Sequence, residues 1–327
     1  MPEPQITVSH LTKTYRVPQR EPGLRAAVRS LVHREYSDVE AVRDISFAIT
    51  AGEVVGFIGP NGAGKTTTLK MLAGLLHPTG GDARVAGHVP WQRRPDYLRR
   101  ISMVMGNKSQ MMWDIPPLDT FLVLREIYRV PAAEFQQTLD ELVALLDMSD
   151  LLTKPVRNLS LGERMKCEMV AALLHRPAVL FLDEPTLGLD VSIQRRLRRF
   201  IAEYNRRSGA TVILTSHYMA DVAELCPRVI LIHHGVLLYD GPLGGLVERL
   251  APFKLIRLTL DGARDEALPD GLEVIEQENG RLVLRAARRD TPALTARLLS
   301  TLPVIDLAVE DPPVDAVIDQ IYQEGSV

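Results

Sequence analysis

Nine consecutive residues, Gly59, Pro60, Asn61, Gly62, Ala63, Gly64, Lys65, Thr66 and Thr67, combine three glycines with a lysine and two hydroxyls. That spacing suits the cradling of a phosphate chain. The glycines let backbone amides turn inward around phosphate oxygens, Lys65 carries a point charge toward the terminal groups, and Thr66 offers its hydroxyl to Mg²⁺. The competing explanation is an accidental glycine turn. With average glycine usage of ~7%, chance supplies such a string in a chain of this length about once in a hundred. The context favours the cradle, because the apolar run Glu53 to Gly59 reads as a buried strand before it and a helix is expected from about Lys65 to Leu75 after it.

Three further groups fit the same chemistry. Asp183 closes the apolar stretch Val179 to Leu182 and can hold Mg²⁺ directly or through water, while Glu184, one residue outward, can polarise a water in line with a γ-phosphate. By themselves, the two acids could equally cap a helix or form a salt bridge. His217 ends the run Thr211 to Ser216. A histidine at a strand end is more often structural, but beside a phosphate its imidazole can donate to that group or to the attacking water. In Asn158-Leu-Ser-Leu-Gly-Glu-Arg164, Ser160 and Glu163 have the spacing of a capping box that starts a helix. Such a helix N-terminus is also an anion site, so both readings describe one geometry.

These residues need a scaffold. Val54, Val179 and Thr211 open short apolar runs that end in polar residues, as strands of a parallel sheet do where ligands bind. Ile6 to Arg16 and Ala41 to Ile49 read as strands. Between them Leu24, Ala27, Val28, Leu31 and Val32 recur at helical spacing with Arg25, Arg29 and Arg34 interspersed, which predicts a basic amphipathic helix within an insertion over 17–40. That helix either packs on its own domain or touches a membrane surface or a membrane-embedded partner. Leu139 to Arg176 reads as helical. Beyond residue 250 the pattern changes to strand, hairpin with an Asn279-Gly280 turn, helix begun at Thr291-Pro292, strand, and a last helix burying Val314, Val317, Ile318 and Ile321.

The 327 residues suit one large and one small domain, and 46% hydrophobic with 24% charged side chains excludes a disordered or disulfide-scaffold chain. Net charge is −3, and residues 252–327 hold 8 basic against 14 acidic side chains, leaving 30 basic against 27 acidic elsewhere. Neither balance suits wrapping of nucleic acid. Cys167 and Cys226 sit in no metal-ligand spacing, which predicts reduced thiols. No basic leader with an apolar stretch and no long uncharged apolar run is present, so neither export by a signal peptide nor a membrane span is expected.

Taken in order, the cradle, Ser160 to Glu163, Asp183-Glu184, the Leu187-Gly-Leu-Asp190 turn and His217 resemble an ATP-binding-cassette (ABC) ATPase, the nucleotide-binding subunit of an ABC transporter. The likeness spans roughly Ile6 to Leu250. It implies an α/β fold: a P-loop cassette with a RecA-like core, an antiparallel β subdomain and an α-helical subdomain over 1–250, the Gln-loop and helical part at about 107–176, plus a small α+β accessory domain at 251–327. The resemblance also implies two cassettes stacked head to tail, with ATP between the cradle of one and Ser160, Leu161, Gly162 and Glu163 of the other. Tyr15 then stacks on adenine, Asp183 supports Mg²⁺ with Thr66, Glu184 is general base, Asp190 communicates across the dimer, and His217 is the γ-phosphate switch. The signature is LSLGE where the common family form is LSGGQ, so Leu161 and Glu163 replace a glycine and a glutamine. The metal-side glutamine of the family's Gln loop falls at Gln110 counting back from Leu118-Asp-Thr120, and at Gly106 counting forward from Ile101; Asn107 rivals Gln110.

The likeness is strongest to cytoplasmic ATPases encoded beside separate exporter-type permeases. It implies ATP and Mg²⁺ as cofactors, integral membrane permease subunits and a second ATPase subunit as partners, no nucleic acid, and a peripheral place on the cytoplasmic face of the membrane. Two other classes compete. A soluble ABC ATPase acting on DNA or ribosomes would carry long coiled coils or two cassettes, and here each motif occurs once. A nonhydrolysing regulatory cassette would not need both Glu184 and His217.

Overall fold

The computed structural model describes residues 4–18, 36–251, 253–261, 268, 271–278, 280–313 and 316–317. In chain order it runs β1 (Pro4–Pro18), β2 (Tyr36–Thr50), β3 (Val54–Ile58), α1 (Lys65–Leu72), β4 (Gly80–Val85), α2 (Pro95–Leu98) and β5 (Ile101–Met105). There follow α3 (Pro117–Tyr128), α4 (Ala132–Leu146), α5 (Leu161–Leu173), β6 (Val179–Asp183), α6 (Val191–Ser208), β7 (Thr211–Thr215), α7 (Met219–Leu225), β8 (Arg228–His233) and β9 (Val236–Pro242). The chain divides into two units between Asp240 and Gly241.

Every residue of β3, β6 and β7 is buried, the pattern of strands covered on both faces. They lie in a six-stranded sheet of order β5-β6-β7-β3-β8-β9, in which β5, β6, β7, β3 and β8 pair in parallel. Parallel pairing brings the carboxyl ends of β6, β7 and β3 to one edge. Glu184, Ser216 and Gly59, the residues that follow those strands, therefore leave the sheet side by side. Beside this sheet stands an antiparallel one of order β2-β1-β4. Ile6, Val8 and Leu11 on β1 and Val42, Ile45, Phe47 and Ile49 on β2 share a core with Val55 and Phe57 of β3 and Leu69, Met71 and Leu72 of α1. That common core holds the cradle's flanking strand and helix as one body.

The expected insertion begins and ends as strand. β1 and β2 stay paired past Tyr15, with Tyr15 opposite Val39, Val17 opposite Ser37 and Pro18 opposite Tyr36. The basic amphipathic helix expected from Leu24 to Arg34 lies outside the described residues.

Three α-helices lie within Pro117 to Leu173; the helical pattern expected from Leu139 to Arg176 takes in the second half of α4 and all of α5, and α3 precedes it. α4 buries Phe135, Thr138, Leu139, Leu142, Val143 and Leu146 on one stripe and reads clearly as a helix. α3 leaves Leu122, Val123 and Ile127 exposed, which blurs the contrast between an apolar and a polar face and hides it from a periodicity argument.

The second unit holds α8 (Leu243–Leu250), β10 (Phe253–Leu260), β11 (Leu272–Glu278), β12 (Arg281–Ala287), α9 (Thr291–Thr301) and β13 (Val304–Glu310). Its antiparallel sheet has the order β11-β12-β10-β13, and Ile256, Leu258, Leu282 and Leu284 meet Leu294 and Leu298 of α9 in a separate core. The expected strand, hairpin, helix, strand sequence is the one observed. The compositional boundary at 250/251 lies one helix, α8, beyond the division at 240/241. Of the expected last helix only Ala316 and Val317 are described, and Val317 is buried; Val314, Ile318 and Ile321 lie outside.

Candidate nucleotide site

The loop after β3 is pressed against its neighbours. A Cβ at Gly64 would stand 2.4 Å from the Ala41 carbonyl oxygen, and one at Gly59 would stand 2.1 Å from that of Ile232, so neither position admits a side chain. Gly64, at φ 108°, is the N-cap of α1 and supplies no side-chain cap, and the first turn carries no acid. The N–H groups of that turn are therefore left for an anion. Lys65 is only 5% exposed, and its Nζ donates to the carbonyls of Gly59 at 2.6 Å and Pro60 at 3.0 Å. Burial pushes its ammonium below the ordinary 10.5, while the charges of Glu184 and Asp183 pull the other way. Thr67 follows on α1, half-buried.

Asp183, buried at the end of β6, accepts from the Thr66 hydroxyl at 3.0 and 2.9 Å and from the Thr215 hydroxyl at 2.8 Å. The Thr66 and Asp183 oxygens are hard donors facing one another, the ligand chemistry Mg²⁺ takes. Among the described residues no group of three or more His, Cys, Asp or Glu gathers.

Glu184 has φ 54°, a left-handed backbone rarely adopted by a glutamate. Its N–H is held by the carbonyl of Thr215 at 3.1 Å and the Thr215 hydroxyl at 3.0 Å. Its Oε1 lies 2.9 Å from Nε2 of His217, and both side chains keep partial access to solvent. The general-base candidate and the histidine are thus direct partners, 33 residues apart in sequence.

Ser160 caps α5 with the full capping box: its Oγ accepts from the Glu163 N–H at 3.3 Å, and Glu163 Oε2 accepts from the Ser160 N–H at 2.8 Å. Leu161 is 41% exposed, and a Cβ at Gly162 would come within 3.0 Å of Ile193 on α6. Asp190 caps α6, accepting from Ile193 N–H at 3.0 Å and from Ser192 Oγ at 2.6 Å; the Ser192 hydroxyl leads the contacts that hold its carboxyl below the usual range. Tyr15 is half-buried on β1 with the Lys13 ammonium 5.2 Å from its ring centre. No described hydrogen bond joins Tyr15, Ser160 to Glu163 or Asp190 to the cradle.

Gln110 takes a different direction from the Thr66–Asp183 pair. Its N–H donates to the Glu168 carboxylate at 3.0 Å and its Nε2 to the Glu168 carbonyl at 3.4 Å, both on α5. Asn107 is exposed, and Gly106 donates its N–H to the Asp183 carbonyl at 2.9 Å. Sequence reasoning missed Glu168, which also binds the Ser109 hydroxyl and the Met111 N–H. Its signal was available, since it is the one acid inside the otherwise apolar run Cys167 to Leu174. Beyond it, Arg157 N–H donates to the Trp113 carbonyl at 2.9 Å and Arg164 stacks 5.2 Å from the Trp113 ring, so the loop is sewn to the segment leading into α5.

A cradle at the centre of a parallel sheet, an Asp-Glu pair on the next strand end but one and a capped helix beyond define the class, an ABC-type ATPase cassette. A family model described as "ABC transporter" matches residues 42–187, and one described as "EvrA-like ABC transporter, C-terminal domain" matches residues 252–310. The "ABC transporter ATP-binding protein NatA" of Bacillus subtilis (strain 168) is 35% identical over 210 residues, covering 64% of this chain and 85% of NatA. The "Daunorubicin/doxorubicin resistance ATP-binding protein DrrA" of Streptomyces peucetius is 31% identical over 274 residues, covering 84% of this chain and 81% of DrrA. A solved "ATP binding subunit of ABC transporter" shares the fold, with TM-score 0.62 and 22% identity over 75% of this chain and 92% of its own. The chain belongs to the ATP-binding subunits of ABC transporters. It binds ATP and hydrolyses it.

Proposed function

We propose that the chain powers an exporter, hydrolysing Mg²⁺-bound ATP at a site shared by two cassettes and passing the resulting motion to integral membrane permease subunits at the cytoplasmic face. The observation that carries the catalytic part is the Glu184–His217 pair, 2.9 Å apart, next in sequence to the buried Asp183 that bonds Thr66. Gly59 to Thr67 bind the phosphates through backbone N–H groups, and the Lys65 ammonium neutralises the terminal ones. Thr66 and Asp183 would hold Mg²⁺, which when bound supplies positive charge to the β and γ oxygens.

Glu184 takes a proton from the water that attacks the γ-phosphorus, the bond to the β-bridging oxygen breaks, and ADP and phosphate result. His217 orients Glu184 and donates toward the γ-phosphate. Tyr15 stacks on adenine. Ser160, Leu161, Gly162 and Glu163 of a second subunit, identical or related, close the site over the γ-phosphate, and Asp190 links the two halves. The Gln110 loop carries the state of the site to the permease side.

Several observations support the wider reading. Both relatives named above bear transport or drug-resistance names. Among the described residues no helix is long and apolar enough to cross a membrane. Met112 and Trp113, 46% and 52% exposed, and Leu122, Val123 and Ile127 on α3 offer apolar contact for permease subunits.

Glu184→Gln tests the core of the proposal. Loss of the base should cut kcat by about 10²–10⁴ with ATP affinity kept, since the cradle is untouched, and should trap an ATP-bound dimer visible by size exclusion. Parental turnover in that variant would sink the role given to Glu184. Purification of the tagged chain in detergent should bring integral membrane subunits with it.

A further inference from the structure

Asp221 on α7 is fully buried and sits outside every motif named above. Its Oδ1 accepts from Arg198 Nη1 at 2.7 Å, and its Oδ2 accepts from the hydroxyls of Thr186 at 2.5 Å and Ser216 at 2.7 Å. All three donors are themselves buried. Thr186 stands two residues after Glu184, and Ser216 immediately precedes His217. One carboxylate oxygen therefore ties together the two loops whose tips form the Glu184–His217 pair.

We propose that Asp221 is a positioning residue that fixes Glu184 and His217 at catalytic distance, with Arg198 holding the carboxylate in place. The proposal rests on the roles given to Glu184 and His217 above. Two features argue for register rather than simple packing. Glu184 keeps a left-handed backbone at φ 54°, and such a conformation persists only where its surroundings over-determine it. Thr215 holds its N–H from the β7 side, while Asp221 through Thr186, and Gln194 Nε2 through the Thr186 carbonyl at 3.3 Å, hold the chain just beyond it. On the other loop the Ser216 oxygen does two jobs, donating to Asp221 and accepting from the Tyr218 N–H at 3.0 Å, which folds the backbone around His217. A buried carboxylate is costly unless fully hydrogen-bonded. Here its bonds are spent on both catalytic loops at once.

The test removes the two tethers and leaves the Arg198–Asp221 ion pair. In the purified full chain with its membrane subunits, Thr186→Val combined with Ser216→Ala should lower kcat by about 10–100-fold, the scale of an approximately 1 Å misplacement of catalytic groups. The KM and Kd for ATP should stay within about twofold, because the cradle is separate. In a Glu184→Gln background the same pair should produce no further loss in the residual rate, as coupled residues behave non-additively. Thr186→Ser, which keeps a hydroxyl, should rescue the rate. If the double variant does not fold, Thr186→Val against Thr186→Ser carries the same comparison. Parental kcat in the tether variants, equal losses of kcat and ATP binding, or full additivity with Glu184→Gln would each overturn the proposal. Arrest by Glu184→Gln together with parental kcat in the tether variants would sink the positioning role alone; parental turnover by Glu184→Gln would sink the catalytic reading and this proposal with it.

Discussion

The proposed two-cassette site gives phosphate chemistry to two helix N-termini of this chain, and they are built in opposite ways. α1 begins at Gly64, in a left-handed backbone with no side-chain cap, and its loop is fixed by close approach to the backbones of β2 and β8. α5 begins at Ser160 with a complete capping box, in which Ser160 and Glu163 satisfy each other's N–H groups. The first end carries no side-chain cap and no acid in its first turn. The second holds its own shape, as expected of a surface that, in the proposed two-cassette site, must wait ready for a nucleotide bound elsewhere. Under that proposal, backbone constraint would serve the binding half and side-chain capping the half contributed by the second cassette.

The largest effect that sharpens this contrast is expected from Lys65→Ala. Loss of a charged donor to the phosphates should weaken ATP binding by roughly 10–100-fold, about 1.5–3 kcal/mol, while thermal stability barely falls, because the fold gains little from burying that ammonium. Isothermal titration paired with thermal denaturation separates the two.

Ser160→Ala should do the reverse. It removes the α5 cap at a cost of about 1 kcal/mol in stability and leaves ATP affinity of the single chain intact, with the rate lost only where two cassettes close. An equal loss of monomer affinity in both variants would erase the distinction between the ends. Glu163→Ala takes away the other half of the box and should cost about 0.5 kcal/mol, read from urea unfolding.

The smallest expected effect is a pH trend. The Lys65 amine has a folded value below its ordinary 10.5, chiefly from desolvation. In the window between that lowered value and 10.5 the unfolded chain holds more protons, so stability should rise with pH there. ATP affinity should fall across the same window as the charge is lost. Lys65→Met should flatten both trends in denaturation and binding measured through the alkaline range.

The parts legible in the sequence were those whose signal is local. The cradle, the apolar strands ending at Asp183 and Thr215, and the capping box each lie within a few residues of one another, and their short-range geometry leaves a pattern in composition. The partners in the site's cross-links left no such local pattern, although Glu168 stood out as an acid in an apolar run. Glu168 binding Ser109 to Met111, Asp221 binding Thr186 and Ser216, and the left-handed backbone of Glu184 depend on which strands become neighbours. α3 was hidden because Leu122, Val123 and Ile127 face outward while Phe121 is buried, and the Gln110 assignment rested on counting across a loop whose actual anchor is Glu168.

From its sequence alone this protein was committed to a phosphate-binding strand–loop–helix, to an acid pair and a histidine at strand ends, and to a self-capped helix, because each is dictated by steric and hydrogen-bonding preferences of adjacent residues. Only the tertiary structure decided that Glu184 would meet His217, that one buried aspartate would tie their loops, and that Gln110 would bond to α5. The contacts of Glu184, His217 and the aspartate follow from the parallel pairing of β6 with β7, and that of Gln110 from the pairing of β5 with β6, neighbours in a sheet no single segment specifies.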